Sequence, residues 1–86
     1  MAYRAQQILI VDDDAEFCET LQIVLSVEGF TVRVADTRES VQRIMRKFNP
    51  DIILLDQGLP GVDAEMLIAA NPQSSVILMS DPTNGR

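Results

Sequence analysis

Positive charge is scarce in this sequence. Seven Lys and Arg residues stand against thirteen Asp and Glu, histidine is absent, and the formal net charge is −6. A chain with that balance lacks the basic face that grips a nucleic-acid backbone or an anionic membrane. Direct nucleic-acid or membrane contact is therefore not expected. Cys18 is the only cysteine, which excludes an intramolecular disulfide. Beside Phe17 and Leu21 it reads as a small buried hydrophobe. No apolar run approaches the length of a membrane span, and Met1 to Gln7 lacks the apolar core of a secretion signal. A cytoplasmic location is the simplest expectation. The 86 residues make one domain, 1–86, and a chain this short buries a modest share of its surface. What is present is hydrophobicity: 47% of the residues, the fraction of a folded domain rather than a disordered one.

That apolar content is concentrated in four short runs: Ile8–Val11, Thr31–Ala35, Ile52–Leu55 and Val76–Met79. Three lack polar alternation, as in strands of a parallel sheet buried on both faces. The second alternates through Arg33 and is expected at an edge. Helical patterns fill the gaps. Asp14 can cap a helix running to about Glu28, with Cys18, Leu21, Val24 and Leu25 on one face and Gly29 as its left-handed stop. Thr37 can cap a second helix carrying Val41, Ile44, Met45 and Phe48, ended by Asn49-Pro50, with Ser40 read as a surface residue. Asp63 can cap a short third helix with Met66, Leu67 and Ala70, ended by Asn71-Pro72. The order β-α-β-α-β-α-β, with right-handed crossovers, gives an α/β doubly wound parallel sheet. Its expected strand order is 2-1-3-4.

The first strand ends in Asp12-Asp13-Asp14 and the third in Asp56. Ligands of doubly wound sheets bind beyond the carboxyl ends of the strands, where strand order reverses. Strands one and three flank that reversal, so Asp12, Asp13 and Asp56 are expected to converge. Carboxylates brought together repel unless protons or a cation neutralise them. Oxygen donors without histidine or a nearby thiol select a hard ion, Mg²⁺ or Mn²⁺. Solvated helix-capping aspartates are the plainer alternative, and it is the preferred one for Asp14. Ser80 follows strand four, where its hydroxyl can donate to a group on Asp56 or serve simply as a turn residue. Gly58 and Pro60-Gly61 suit a loop whose backbone approaches an ion.

Ile8-Leu-Ile-Val-Asp-Asp-Asp14, Asp51-Ile-Ile-Leu-Leu-Asp-Gln-Gly-Leu-Pro-Gly61 and Val76-Ile-Leu-Met-Ser80 together resemble the receiver domain of bacterial two-component response regulators. The resemblance runs from Ile8 to Ser80 and implies a flavodoxin-like receiver fold. It also implies that Asp56 takes a phosphoryl group from a phosphohistidine on a sensor histidine kinase or phosphotransfer protein. Asp13 and Asp56 would ligate Mg²⁺ directly, Asp12 mainly through water, and Gly58 through its carbonyl. Ser80 matches the family's switch hydroxyl. Such a domain is a phosphoacceptor, at most self-phosphorylating and self-dephosphorylating, rather than an enzyme in the ordinary sense.

The sequence departs from the family pattern at Ala64, where glycine is usual, and at Asp81, where a small residue is usual. Asp81 would add negative charge beside the phosphoryl position. No fifth strand or matching lysine follows Ser80, and the only lysine is Lys47. The fold is thus expected to be truncated after strand four, exposing a Val-Ile-Leu-Met edge open to pairing with another chain. A homodimer through that edge is expected. Two rival readings accompany the phosphoacceptor one. The first is a truncated receiver that binds a kinase or regulator without phosphorylation. The second is a metal-dependent phosphatase of another α/β family, which the absence of a Lys or His acid/base near the site disfavours.

Overall fold

The computed structural model describes residues 6–79. The chain runs β1 (Gln7–Val11), α1 (Ala15–Val27), β2 (Thr31–Ala35), α2 (Arg38–Met45), β3 (Ile52–Asp56), α3 (Ala64–Ala70) and β4 (Ser75–Met79). All pairings are parallel, in the order β2-β1-β3-β4. The expected α/β doubly wound topology is therefore observed, with β2 at one edge. The expectations placed on Ser80 and Asp81 lie outside the described residues.

The helix caps follow the sequence. The Asp14 side chain accepts from the Phe17 N–H, and that of Asp63 from the Met66 N–H. Each satisfies a helix-end donor that would otherwise lack a partner. Gly29 takes φ +101, and the Gly29 and Phe30 N–H groups return to the Ser26 and Leu25 carbonyls. Such a left-handed turn favours glycine because it brings a Cβ against the carbonyl.

The start of α2 corrects the reading of Ser40, which is buried. Its Oγ accepts from the N–H groups of Asp36 and Thr37 while its own N–H donates to Thr37 Oγ1. This capping box fixes the turn between β2 and α2. The Thr-x-x-Ser spacing carries that signal, with serine in the position usually held by Glu or Gln.

Alternate residues of the strands feed two cores, because strand side chains point to opposite faces with period two. On one face Leu9, Val11, Ile53 and Leu55 pack with Val41 of α2 and Leu67 of α3. On the other, Ile8, Ile10 and Val32 pack with Cys18, and Leu21 and Leu25 close over them. Fully burying a side chain of this size contributes about 1.5–3 kcal/mol.

Two expectations about core faces are revised. Val24 is 51% exposed, because it lies about 100° around the helix from Leu25. Phe48 is buried but beyond the end of α2. Its N–H bonds to the Ile44 carbonyl, and the Arg33 guanidinium lies 5.7 Å from its ring centroid.

Candidate functional site

β1 and β3 are adjacent and in register, Val11 opposite Leu55. The residues that follow those two therefore emerge side by side at the carboxyl end of the sheet. One carboxylate oxygen from each of Asp12, Asp13 and Asp56 lies within 4.8 Å of the others. The three residues sit in unlike settings: Asp12 is buried, Asp56 half-buried and Asp13 exposed.

Asp12 is anchored on several sides. Its N–H donates to the Ala35 carbonyl at 3.0 Å. Its Oδ1 accepts from the Asp14 N–H at 3.0 Å. Burial pushes its carboxyl above the ordinary carboxylate value, the Asp14 N–H opposes that shift, and the charges of Asp56, Asp13 and Asp14 reinforce it. The protonated form is thus favoured relative to a free aspartate, and a nearby cation would restore the charged form. Asp56 Oδ1 accepts from the Gly58 N–H at 3.1 Å, which orients the carboxylate.

The Gly58 N–H thus faces Asp56, yet the backbone there does not require glycine. A Cβ added to it would meet Asp56 Oδ1 at an ordinary 3.7 Å. Gly61 is the residue that does require it, with φ +78 and Arg38 Cδ 3.4 Å from an added Cβ. Asp14 serves as the cap of α1, the role preferred for it from the sequence.

The donor set fits a hard divalent cation: three carboxylates supply oxygen, and no thiolate competes. Cys18 is buried, and its Sγ lies 3.4 Å from the Asp12 carbonyl, to which it donates. Burial first, then the charge of Asp12, pushes its thiol up to about 11. Cys18 is thus the packing residue expected, with an added role in holding α1 to the end of β1. A cleft of about 300 Å³ opens beside it, lined by Asp12, Asp13, Glu19 and Asp36. Asp36 had no part in the sequence-derived site; its place at the end of the neighbouring strand β2 was its only signal.

Ser80 is outside the described residues. Its neighbour Met79 pairs with Asp56 in the β3–β4 register. No helix among the described residues is long and apolar enough to cross a membrane.

Comparison with known proteins agrees with this geometry. The response regulator receiver domain model matches residues 8–84. The DNA-binding response regulator MtrA of Mycobacterium tuberculosis (strain ATCC 25618 / H37Rv) is 35% identical over 82 residues, covering 92% of this chain and 36% of MtrA. The chain thus spans little more than a third of that relative.

Among solved structures, a CheY-like response regulator receiver domain protein from Methanospirillum hungatei superposes with a TM-score of 0.78 at 27% identity, over 90% of this chain and 65% of that one. Response regulator TrrA from Thermotoga maritima, in complex with Mg²⁺-BeF, gives 0.75 at 26% identity, over 87% of this chain and 69% of that one. With the family match running from β1 through β4 and the acidic trio at the carboxyl end of the sheet, this chain belongs to the response regulator receiver domain family of two-component systems.

Proposed function

We propose that the protein is a cytoplasmic phosphoacceptor in which Asp56 receives a phosphoryl group from a phosphohistidine of a sensor histidine kinase or phosphotransfer protein. The observation that carries this reading is the convergence of the Asp12, Asp13 and Asp56 oxygens within 4.8 Å. A carboxylate oxygen of Asp56 attacks phosphorus in line with the P–N bond. That bond breaks as the new O–P bond forms, and the imidazole leaves with a proton. The product is an acyl phosphate.

Asp13 and Asp56 would hold Mg²⁺ or Mn²⁺ directly, Asp12 through water, and Gly58 through its carbonyl. When bound, the ion screens the charge gathered on the carboxylates and the phosphoryl oxygens. The Gly58 N–H keeps the Asp56 carboxylate oriented. Ser80 would donate its hydroxyl to a phosphoryl oxygen, a role favoured by the pairing of Asp56 with the preceding Met79. The Mg²⁺ complex of TrrA supports the choice of ion.

The test is intact-mass measurement after incubation with Mg²⁺ and acetyl phosphate. A phosphate-sized gain is expected in the wild type and not in Asp56→Asn. Equal gain in both, or none in either, would remove Asp56 as the acceptor.

One observation favours a second reading. Among the described residues β4 is the outer strand, and its Ile77 and Leu78 are half exposed. An apolar edge of this kind favours pairing with another chain. The protein would then act as a phosphorylation-independent interaction module, as a homodimer through β4. Retained kinase binding together with no phosphate gain would select it.

A further inference from the structure

Charge is sorted along this chain. Every Lys and Arg among the described residues lies between positions 33 and 47. Arg33 is on β2, Arg38 and Arg43 are on α2, and Arg46 and Lys47 follow directly. All five are exposed, and none forms an ion pair with a described residue. Folded domains usually intersperse the two signs. Here five cations share a segment whose acids are Asp36 and Glu39, and an apolar cleft of about 220 Å³ opens between α2 and α3. Val41, Met45, Met66 and Leu67 line it, with Arg46 alongside.

The complementary surface is on the opposite face of the sheet. Helix α1 contains Glu16 and Glu19 and no basic residue, and Glu28 caps its end. Its outer side also carries apolar groups: Ile23 is 59% exposed and Val27 78%. At about 100° per residue, Glu16, Ile23 and Val27 fall on one outward stripe, with Glu19 beside it. Aliphatic side chains this exposed, set beside carboxylates, match an apolar cleft with the Arg46 guanidinium at its rim.

We infer that α1 of one copy docks on the α2–α3 face of a second copy of this chain. Ile23 and Val27 enter the cleft, and Glu16 and Glu19 meet Arg43 and Arg46. A nucleic acid or an anionic membrane fits less well. Either would leave the apolar cleft unfilled, whereas α1 offers carboxylates and aliphatic side chains together. The two surfaces lie on opposite faces of one sheet, so the contact is heterologous. Each added copy leaves one surface of each kind open, and assembly grows as a ladder instead of closing at a dimer. This inference is independent of phosphoryl transfer, and it uses a surface other than the β4 edge.

The test is sedimentation velocity of the full chain across a concentration series at low and high salt. The weight-average mass is expected to rise with concentration beyond that of a dimer at low salt, and to fall when salt screens the contact. Arg43→Glu with Arg46→Glu, and separately Glu16→Lys with Glu19→Lys, should each weaken association by about tenfold or more, because like charges then face each other. Mixing the two variants should restore it. Neutral Arg43→Gln with Arg46→Gln gives a second pair should either reversal disturb folding, as read by circular dichroism, and it should weaken association less. A clean monomer at low salt would overturn the inference. So would association that ignores both reversals but is lost in Ile77→Lys, which would assign it to β4. Binding of duplex DNA or anionic vesicles through Arg43 and Arg46, without self-association, would also overturn it.

Discussion

Strand β3 has an aspartate at each end, and the two are held in opposite ways. Asp51, before the strand, is built into the backbone network. Its Oδ2 accepts from the Gln7 N–H at 2.8 Å, its own N–H donates to the Gln7 carbonyl, and its carbonyl accepts from Ser75. Next to it the Ser74 hydroxyl donates to the Pro50 carbonyl at 2.7 Å. Asp56, the last residue of the strand, instead faces the carboxylates of Asp12 and Asp13.

A cleft of about 440 Å³ lies at the first end, lined by Gln7, Asn49, Asp51, Asn71 and Gln73. The crowded acids are at the other. Clefts open at both ends, so what distinguishes the carboxyl end is unscreened like charge, where ligands of such sheets bind. One aspartate closes the fold, and the other sits against like charge.

Substitution at the two ends should separate these roles. Asp56→Asn is expected to abolish phosphate uptake while leaving the fold intact. Asp51→Ala should retain uptake per folded molecule but lose about 1–3 kcal/mol of stability, because the Gln7 N–H loses its charged acceptor. Urea titration and intact mass read the two effects. Loss of uptake in a folded Asp51→Ala would break the comparison.

The loop after Asp56 offers a smaller contrast. Gly61→Ala should cost about 1–2 kcal/mol because its φ of +78 strains any side-chain-bearing residue. Gly58→Ala should change stability by about 0.5 kcal/mol or less.

Metal-free Asp12→Asn should melt a few degrees above wild type at neutral pH. Burial raises the folded-state pKa of Asp12, so the ionised form costs stability. That cost is absent below the unfolded value and develops as pH rises through the folded one. The advantage of the variant should therefore vanish on acidification, as thermal melts across pH would show. The smallest effect is chemical: Cys18, with its thiol at about 11, should resist alkylation in the native protein and react promptly in urea.

Much of this molecule is legible in its sequence because the signals are local. Asp14, Thr37 and Asp63 announce helix starts through side chains that reach only to the next turn. Four apolar runs with intervening helices leave few parallel topologies. The place of Ser40 is not legible from polarity, because serine at the third helical position is buried by its capping geometry. Val24 falls outside the buried arc because an apolar pattern marks an approximate helix face, and only packing fixes which arc meets the sheet. Net charge also concealed more than it revealed. The value of −6 disfavours polyanion binding by the chain as a whole but averages away the cationic block between Arg33 and Lys47.

By itself the sequence determined the order of elements, their caps and the identity of the acids. Those depend on residues close together along the chain. Only the tertiary structure decided how close the carboxylates of Asp12, Asp13 and Asp56 come, that Asp36 borders their cleft, and that the carboxylates of α1 and the cations of α2 lie on opposite sides of the sheet. Those facts depend on which strands pair and in what register, a choice that residues distant in sequence make together when both cores are buried.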